Sequence, residues 1–287
     1  MLRINSKKIS MQFIKLATLF LWHGLMMSLC TSPAYAGEQP YYAVDAYQTP
    51  GAVYRIEDRQ PGVFFRRRSG SISSIAICNE QLYFCSANDR RIYQIIEKRE
   101  RVVFEHKTYI RDIAIDPNGN FYFSEASGAK GDGRIYKLNP RVNELRPDRR
   151  FSISSDSRKK PVQVQLKTVD GFWAGDFTFD AQGNLYLSTG NRTPAFIYKV
   201  PRQKDGRYGS PKKIYRDTKG AIKGITIPNI QFNTRQDFIY YADWSRVVYR
   251  LNIRNLGRSV AFSGNVAKSR NPHLSDIAFD IRSQRRN

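Results

Sequence analysis

One pattern recurs along this chain of 287 residues, and repetition at such a period restricts the fold more than any single motif does. Residues 111–138, RDIAIDPNGNFYFSEASGAKGDGRIYKL, carry a full copy: an apolar run, a turn at Asp116 to Gly119, a second run, a glycine-rich loop and a third run. Pro117 fixes φ and Gly119 supplies φ > 0, so Ile115 and Phe121 fall on either side of a tight hairpin. The first run returns with its apolar part starting at Ile75, Ile113, Phe177, Ile225 and Ile277. The second returns as YYAVD, LYFCS, FYFSE, LYLST and IYYAD, which aligns Tyr42, Tyr83, Tyr122, Tyr186 and Tyr240. The third returns as AVYRI, RIYQI, RIYKL, FIYKV and VVYRL, which aligns Tyr54, Tyr93, Tyr136, Tyr198 and Tyr249. Weaker fourth strands are read at 63–65, 102–104, 213–215 and 260–262.

The pattern predicts an all-β fold, a β-propeller of four-stranded blades. Its copies are offset along the chain: the last first-run, 274–280, has no partner after it, and the first second-run, 40–46, has none before it. Pairing these two segments closes the ring and removes an exposed inner edge. Five blades are favoured, and the length also accommodates six. Only the interval around 151–167 is long enough to hide another blade, but it is polar, basic and free of both tyrosine patterns. It is read as an insertion, about 146–168, together with an outer strand. The ten aligned tyrosines are read as packing residues, since Tyr suits a half-buried pleated surface.

Residues 1–36 stand outside the repeat. Lys7, Lys8 and Lys15 precede an apolar run from Leu16 to Leu29, and Ala34, Tyr35 and Ala36 form an A-x-A site before Gly37. These are the parts of a secretory signal peptide. The expectation is a periplasmic or secreted monomer with one domain, 37–287, and no membrane span after cleavage. The net charge of +22 loses Arg3, Lys7, Lys8 and Lys15 with the leader and no acid, leaving +18. Such a charge attracts anions over roughly 8 Å at physiological ionic strength. The bland reading is a solvated basic exterior. The functional one is adhesion to an anionic surface or ligand, a polysaccharide or a lipid headgroup. Export, and the lack of a nucleic-acid-binding motif, disfavour nucleic acid.

Two cysteines follow the leader, Cys78 and Cys85, and export invites pairing them. A three-residue turn at Asn79 to Gln81 places the thiols on opposite faces of the hairpin. A two-residue turn places them on one face but diagonally, read as the edge of the roughly 7 Å Cα limit for a disulfide.

In a propeller the loops entering the first strand and leaving the second emerge on one face, near the axis. Ser74, Asp112, Asp176, Gly224 and Asp276 stand at the first position; Asp45, Ser86, Glu125, Thr189 and Asp243 stand at the second. Six carboxylates are therefore expected around one mouth of the channel: Asp112, Asp176, Asp276, Asp45, Glu125 and Asp243. Crowded carboxylates repel and raise one another's pKa unless a cation lies among them. A divalent metal, Ca²⁺ above all, suits hard oxygen ligands converging from several strands. The competing reading pairs each acid with a nearby base or turn. His273 enters the same face just before Asp276 and is a candidate catalytic group beside Asp112, Asp176 and Glu125. There is no HExxH or CxxC, no convincing Ser/His/Asp spacing, and no phosphate-cradling loop leading from a strand into a helix.

IAIDPNGNFYFSE and FTFDAQGNLYLSTGN resemble the repeat core of NHL and gluconolactonase-like propellers, and IYYADWSRVVYRL resembles a YWTD blade. The resemblance covers nearly all of residues 40–280. It implies propeller architecture. From the gluconolactonase-like relatives it also implies a divalent metal at the channel mouth and the opening of lactones or related small-molecule esters. The Asn ligands of that family are missing here from the first-strand entrances. Two functions follow as expectations: an exported ligand- or partner-binding module, or a metal-dependent hydrolase in which Asp112, Asp176 or Glu125 activates water.

Overall fold

A computed structural model of the protein describes residues 41–46, 48–57, 60–78, 81–125, 134–138, 161–164, 176–190, 193–228, 238–243, 247–263 and 274–279. The leader, His273, the loop at 128–133 and most of the 146–168 insertion lie outside them.

Five antiparallel four-stranded sheets form a five-bladed β-propeller. The first blade holds β1 (Tyr41–Asp45), β2 (Ala52–Glu57) and β3 (Gln60–Arg66). The second holds β4 (Ser74–Cys78), β5 (Gln81–Ser86), β6 (Arg91–Ile96) and β7 (Arg99–Glu105). The third holds β8 (Ile110–Ile115), β9 (Phe121–Glu125), β10 (Arg134–Lys137) and the short β11 (Val162–Gln163), the outer strand expected inside the insertion. The fourth holds β12 (Phe177–Phe179), β13 (Leu185–Ser188), β14 (Ala195–Val200) and β15 (Lys212–Asp217). The fifth holds β16 (Lys223–Thr226), β17 (Phe238–Ala242), β18 (Val247–Asn252) and β19 (Arg258–Ser263). The chain then returns as β20 (Leu274–Phe279), the innermost strand of the first blade, where Ala43 faces Ile277 and Tyr42 faces Ala278. The expected closure is therefore the observed one.

The turns between first and second strands follow from their sequence. The Asp116 carboxylate accepts hydrogen bonds from the Asn118 and Asn120 amides and from the Tyr122 hydroxyl, while Gly119 takes φ 78°. Asp180 repeats this with Gln182, Asn184 and Tyr186, and Gly183 takes φ 76°.

The apolar core is divided among the blade interfaces. Tyr42, Val44, Val53 and Phe65 of the first blade pack with Ile75, Leu82 and Phe84 of the second. Ala43, Tyr54 and Ile277, on the opposite face of the first blade, pack with Val248 and Phe262 of the fifth. Both faces of each inner strand are covered, so these strands read as continuous apolar runs. Tyr42, Tyr54 and Tyr186 are almost fully buried, and each such side chain contributes roughly 1.5–3 kcal/mol.

One position is reused between blades. Arg67, His106 and Asp217 all stand one step past the outer strand's pairing with Ala52, Arg91 and Phe196. Arg67 and His106 reach onto the second and third strands of the following blade, and Asp217 onto its second and fourth. Arg67 lies over Phe84 and Tyr93 and pairs with Asp89 and Glu100, both at 2.8 Å. His106 packs on Phe123 and Tyr136. Asp217 accepts a hydrogen bond from Tyr241 and pairs with Arg258, which occupies the register position of Glu100. The same latch thus occurs with its charges reversed.

The cysteines correct one detail of the sequence reading. The hairpin has a two-residue turn, with Cys78 opposite Gln81 and Cys85 opposite Ser74. The two thiols therefore lie four residues apart along the strands, about 13 Å at 3.3 Å per residue. That is well beyond a disulfide's reach, and both cysteines are free. Burial pushes the Cys78 thiol up to about 12 and the Cys85 thiol well above its ordinary value.

A chain ending before Leu274 lacks the strand that completes the first blade. It is expected to show no cooperative thermal transition by circular dichroism, whereas an unchanged melt would contradict closure through β20.

Candidate functional site: the buried carboxylates of the first strands

The first strands of all five blades line the axis. They line a partly open cavity of about 70 Å³, whose lining includes Ile75, Ile113, Phe177, Ile225, Asp112 and Asp276. Where the first strands begin, bulges re-aim the backbone: the pairing shifts between Ile110 and Asp112, between Lys223 and Ile225, and between Val44 and Asp45 opposite Asp276.

Asp112, Asp176 and Asp276 do converge here, each under 5% exposed. Their carboxylates are occupied, and each holds at least one group of a neighbouring blade. Asp276 Oδ2 accepts the Ile75 amide at 2.7 Å, and its Oδ1 accepts its own neighbour Ile277. The Ser74 hydroxyl donates to Asp112 Oδ1 at 2.5 Å, and Asp112 Oδ2 accepts the Phe177 amide at 2.7 Å. Asp176 Oδ2 accepts the Gly224 amide at 2.8 Å. Gly224, at φ 50°, completes the circuit by contact: a Cβ built on it would lie 2.3 Å from the Asp276 Cα. The circuit runs through all five blades.

The charge within the ring is offset in part by one internal cation. Lys223, 6% exposed, opens β16 beside Asp176 and Asp112. Burial drives its pKa down to about 8 against the attraction of Asp176 and Asp112, with Arg111 repelling it. Burial, and repulsion by Asp276 and Asp176, raise the Asp112 carboxyl well above the usual range, and burial and Asp176 do the same for Asp276. Sequence reasoning placed Gly224 at this position but passed over Lys223. The available signal was a lysine directly before the glycine of an otherwise apolar run, KGITI.

The three acids that leave the second strands are placed differently. Glu125, Asp45 and Asp243 each lie near the third-strand tyrosine of their own blade: Tyr136 donates to Glu125 at 2.7 Å, while burial, with a smaller push from Asp45 and from Asp243, raises the pKa of Tyr54 and Tyr249. Burial works against the ionised Glu125, but the Thr108 and Tyr136 hydroxyls outweigh it and hold the carboxyl below its usual value. His273 lies outside the described residues. Among the described residues no group of three or more His, Cys, Asp or Glu side chains is arranged to hold a metal ion. The ring offers Ca²⁺ a poor cage: most of its oxygens already accept backbone amides, and an ammonium shares the space.

No family model matches the chain, and no curated relative matches it. Solved structures do match. A chain of a nidogen–laminin complex aligns over 84% of this protein and 97% of its own length, with TM-score 0.51 at 13% identity. The likeness is one of fold. An auxiliary nutrient-binding protein from Bacteroides ovatus aligns at TM-score 0.47 and 14% identity over 80% of this chain, which spans 57% of that protein. A gluconolactonase-like protein aligns at TM-score 0.46 and 12% identity, over 79% of this chain and 80% of its own.

Two outcomes test the ring. A carboxyl whose folded-state pKa is raised contributes stability that is fully present below about pH 4 and is lost as pH rises through the raised value. The melting-temperature advantage of the natural protein over Asp112→Asn should therefore shrink as pH rises from 4 to 8; a constant gap would mean that Asp112 is not shifted. Gly224→Ala should cost more than about 3 kcal/mol in a denaturant titration, because a Cβ there meets backbone and not a movable side chain.

Proposed function

We propose that this protein is an exported, non-catalytic binding propeller that engages an anionic partner through basic side chains on its exterior. One observation carries the reading: the three carboxylates that converge on the axis, Asp112, Asp176 and Asp276, are tied up as acceptors joining blade to blade. The cavity beside them, about 70 Å³, is also far below the roughly 300–1,000 Å³ of small-molecule sites. What is left for recognition is the outer surface, where Lys204, Arg207, Lys212, Lys213, Arg216 and Lys219 are among the exposed cations. The leader pattern of residues 1–36 supports export, and among the described residues no helix is long and apolar enough to cross a membrane. The nidogen–laminin match supports a propeller in a partner-binding setting only as a likeness of fold.

The test is retention on matrices of sulfated or carboxylated polysaccharide against a neutral one, alongside a lactone and aryl-ester screen with Ca²⁺ or EDTA. Retention only on the anionic matrices is expected, with release before about 1 M NaCl, where the screening length falls to about 3 Å. Turnover that EDTA abolishes would contradict the reading and favour the metal-dependent hydrolase.

A further inference from the structure

The outer edge of the fourth blade differs from its counterparts. A β-bulge at the same place in four blades, next to the third-strand tyrosine, puts their outer strands in a common register. The residue opposite that tyrosine is Val63, Val102 and Val260 in the first, second and fifth blades, and Gln163 in the third. In the fourth it is Lys213. The preceding position holds Gly62, Arg101, Val162 and Ser259 elsewhere, and here Lys212.

Lys212 stands directly opposite Lys199, and like charges facing each other across a sheet are unfavourable for the fold; Lys199 is paired with Asp180 at 3.4 Å, which leaves Lys212 as the exposed cation of the two. Blade four alone among the described blades carries such a pair. Residues 193–220 hold Lys199, Arg202, Lys204, Arg207, Lys212, Lys213, Arg216 and Lys219 against only Asp205 and Asp217. Both acids are taken, Asp205 by Arg207 and Asp217 by Arg258. Between β14 and β15 the chain forms an ordered arm. Its Arg202 bridges to Tyr208, its Gln203 amide bonds to the Arg207 carbonyl at 2.8 Å, and Lys204 and Arg207 are exposed on it.

We infer that the β14–β15 edge and its arm form the docking surface for a linear anionic polysaccharide, an assignment that rests on the proposed binding function and locates it. The surface is a ridge one strand wide and six residues long, about 20 Å, which suits a chain better than a plane. As the outermost strand of its sheet, β15 also leaves one row of backbone amides and carbonyls unpaired within that sheet, and these complement a hydroxyl-rich ligand. None of the exposed large hydrophobic residues falls between 193 and 220, so the ridge lacks the apolar anchor that would seat it in a bilayer.

The test compares the natural protein with two triple variants of equal charge loss. Lys212→Ser, Lys213→Val and Arg216→Ser install residues that the fifth blade carries at these positions (Ser259, Val260 and Ser263), so folding is retained. The control is Arg66→Ser, Arg68→Ser and Lys98→Ser. Binding to heparin and to polygalacturonate is measured from 50 to 300 mM NaCl, with vesicles containing anionic phosphatidylglycerol in parallel. The blade-four variant should lose about tenfold in affinity and about 2 in the slope of log affinity on log salt, at roughly 0.7–0.9 per cation lost; the control should lose little. Equal losses in both variants, or tighter binding to the vesicles than to either polysaccharide, would overturn the assignment and leave anionic binding standing. A natural protein that binds none of the three would remove the proposed function as well.

Discussion

The hydrogen bond that joins the first strand of one blade to the first strand of the next is the interaction on which this structure depends. A propeller is a ring of sheets with no central core of its own, and its inner strands must be held at the axis where side chains have least room. Here that is done by short polar links, Asp276 to Ile75, Ser74 to Asp112, Asp112 to Phe177 and Asp176 to Gly224. Buried amides without acceptors would each cost about 1–3 kcal/mol, so the carboxylates satisfy donors that the fold has withdrawn from water. The desolvation this imposes on the acids is offset in part by Lys223, which brings one positive charge into the cluster. The last link has no side chain because two backbones touch there, Gly224 against Asp276.

Farther from the axis the interfaces rely on apolar packing, supplemented by one reused position. Arg67, His106 and Asp217 share a place in the fold but differ in charge, and each finds a complementary setting in the next blade. A guanidinium lies over aromatic faces and between two carboxylates. An imidazole rests on a phenyl and a phenol ring, its pKa lowered by burial despite nearby Glu125. A carboxylate accepts from a tyrosine and an arginine. What persists is the geometry of a side chain reaching from an outer strand across to the neighbouring blade; the sign of the charge is free to change so long as its partner changes too.

Much of this was legible in the sequence because period and order are properties of the chain itself. The apolar first run and the two tyrosine-marked runs placed the strands, and the offset between Tyr42 and Ile277 foretold that the ends would share a blade. The convergence of Asp112, Asp176 and Asp276 was also readable, since equivalent positions in a ring must meet. What these acids do there was not: whether a carboxylate faces an ion or a neighbour's amide depends on bulges and close backbone approaches that leave little trace in residue type. Glu125, Asp45 and Asp243 shared the alignment but stand on the second strands, one strand farther from the axis, where Glu125 takes a hydrogen bond from the third-strand Tyr136. Cys78 and Cys85 were separated by the same kind of detail, a turn whose length sets the register.

The central claim, that the buried acids of the first strands hold the ring together through backbone amides, is tested most directly by residue-resolved amide hydrogen exchange of the folded protein with EDTA and with added Ca²⁺. The account predicts that the amides of Ile75, Phe177 and Gly224 exchange only through global unfolding and that neither addition alters them. Fast exchange at these three positions, or protection that depends on Ca²⁺, would contradict it.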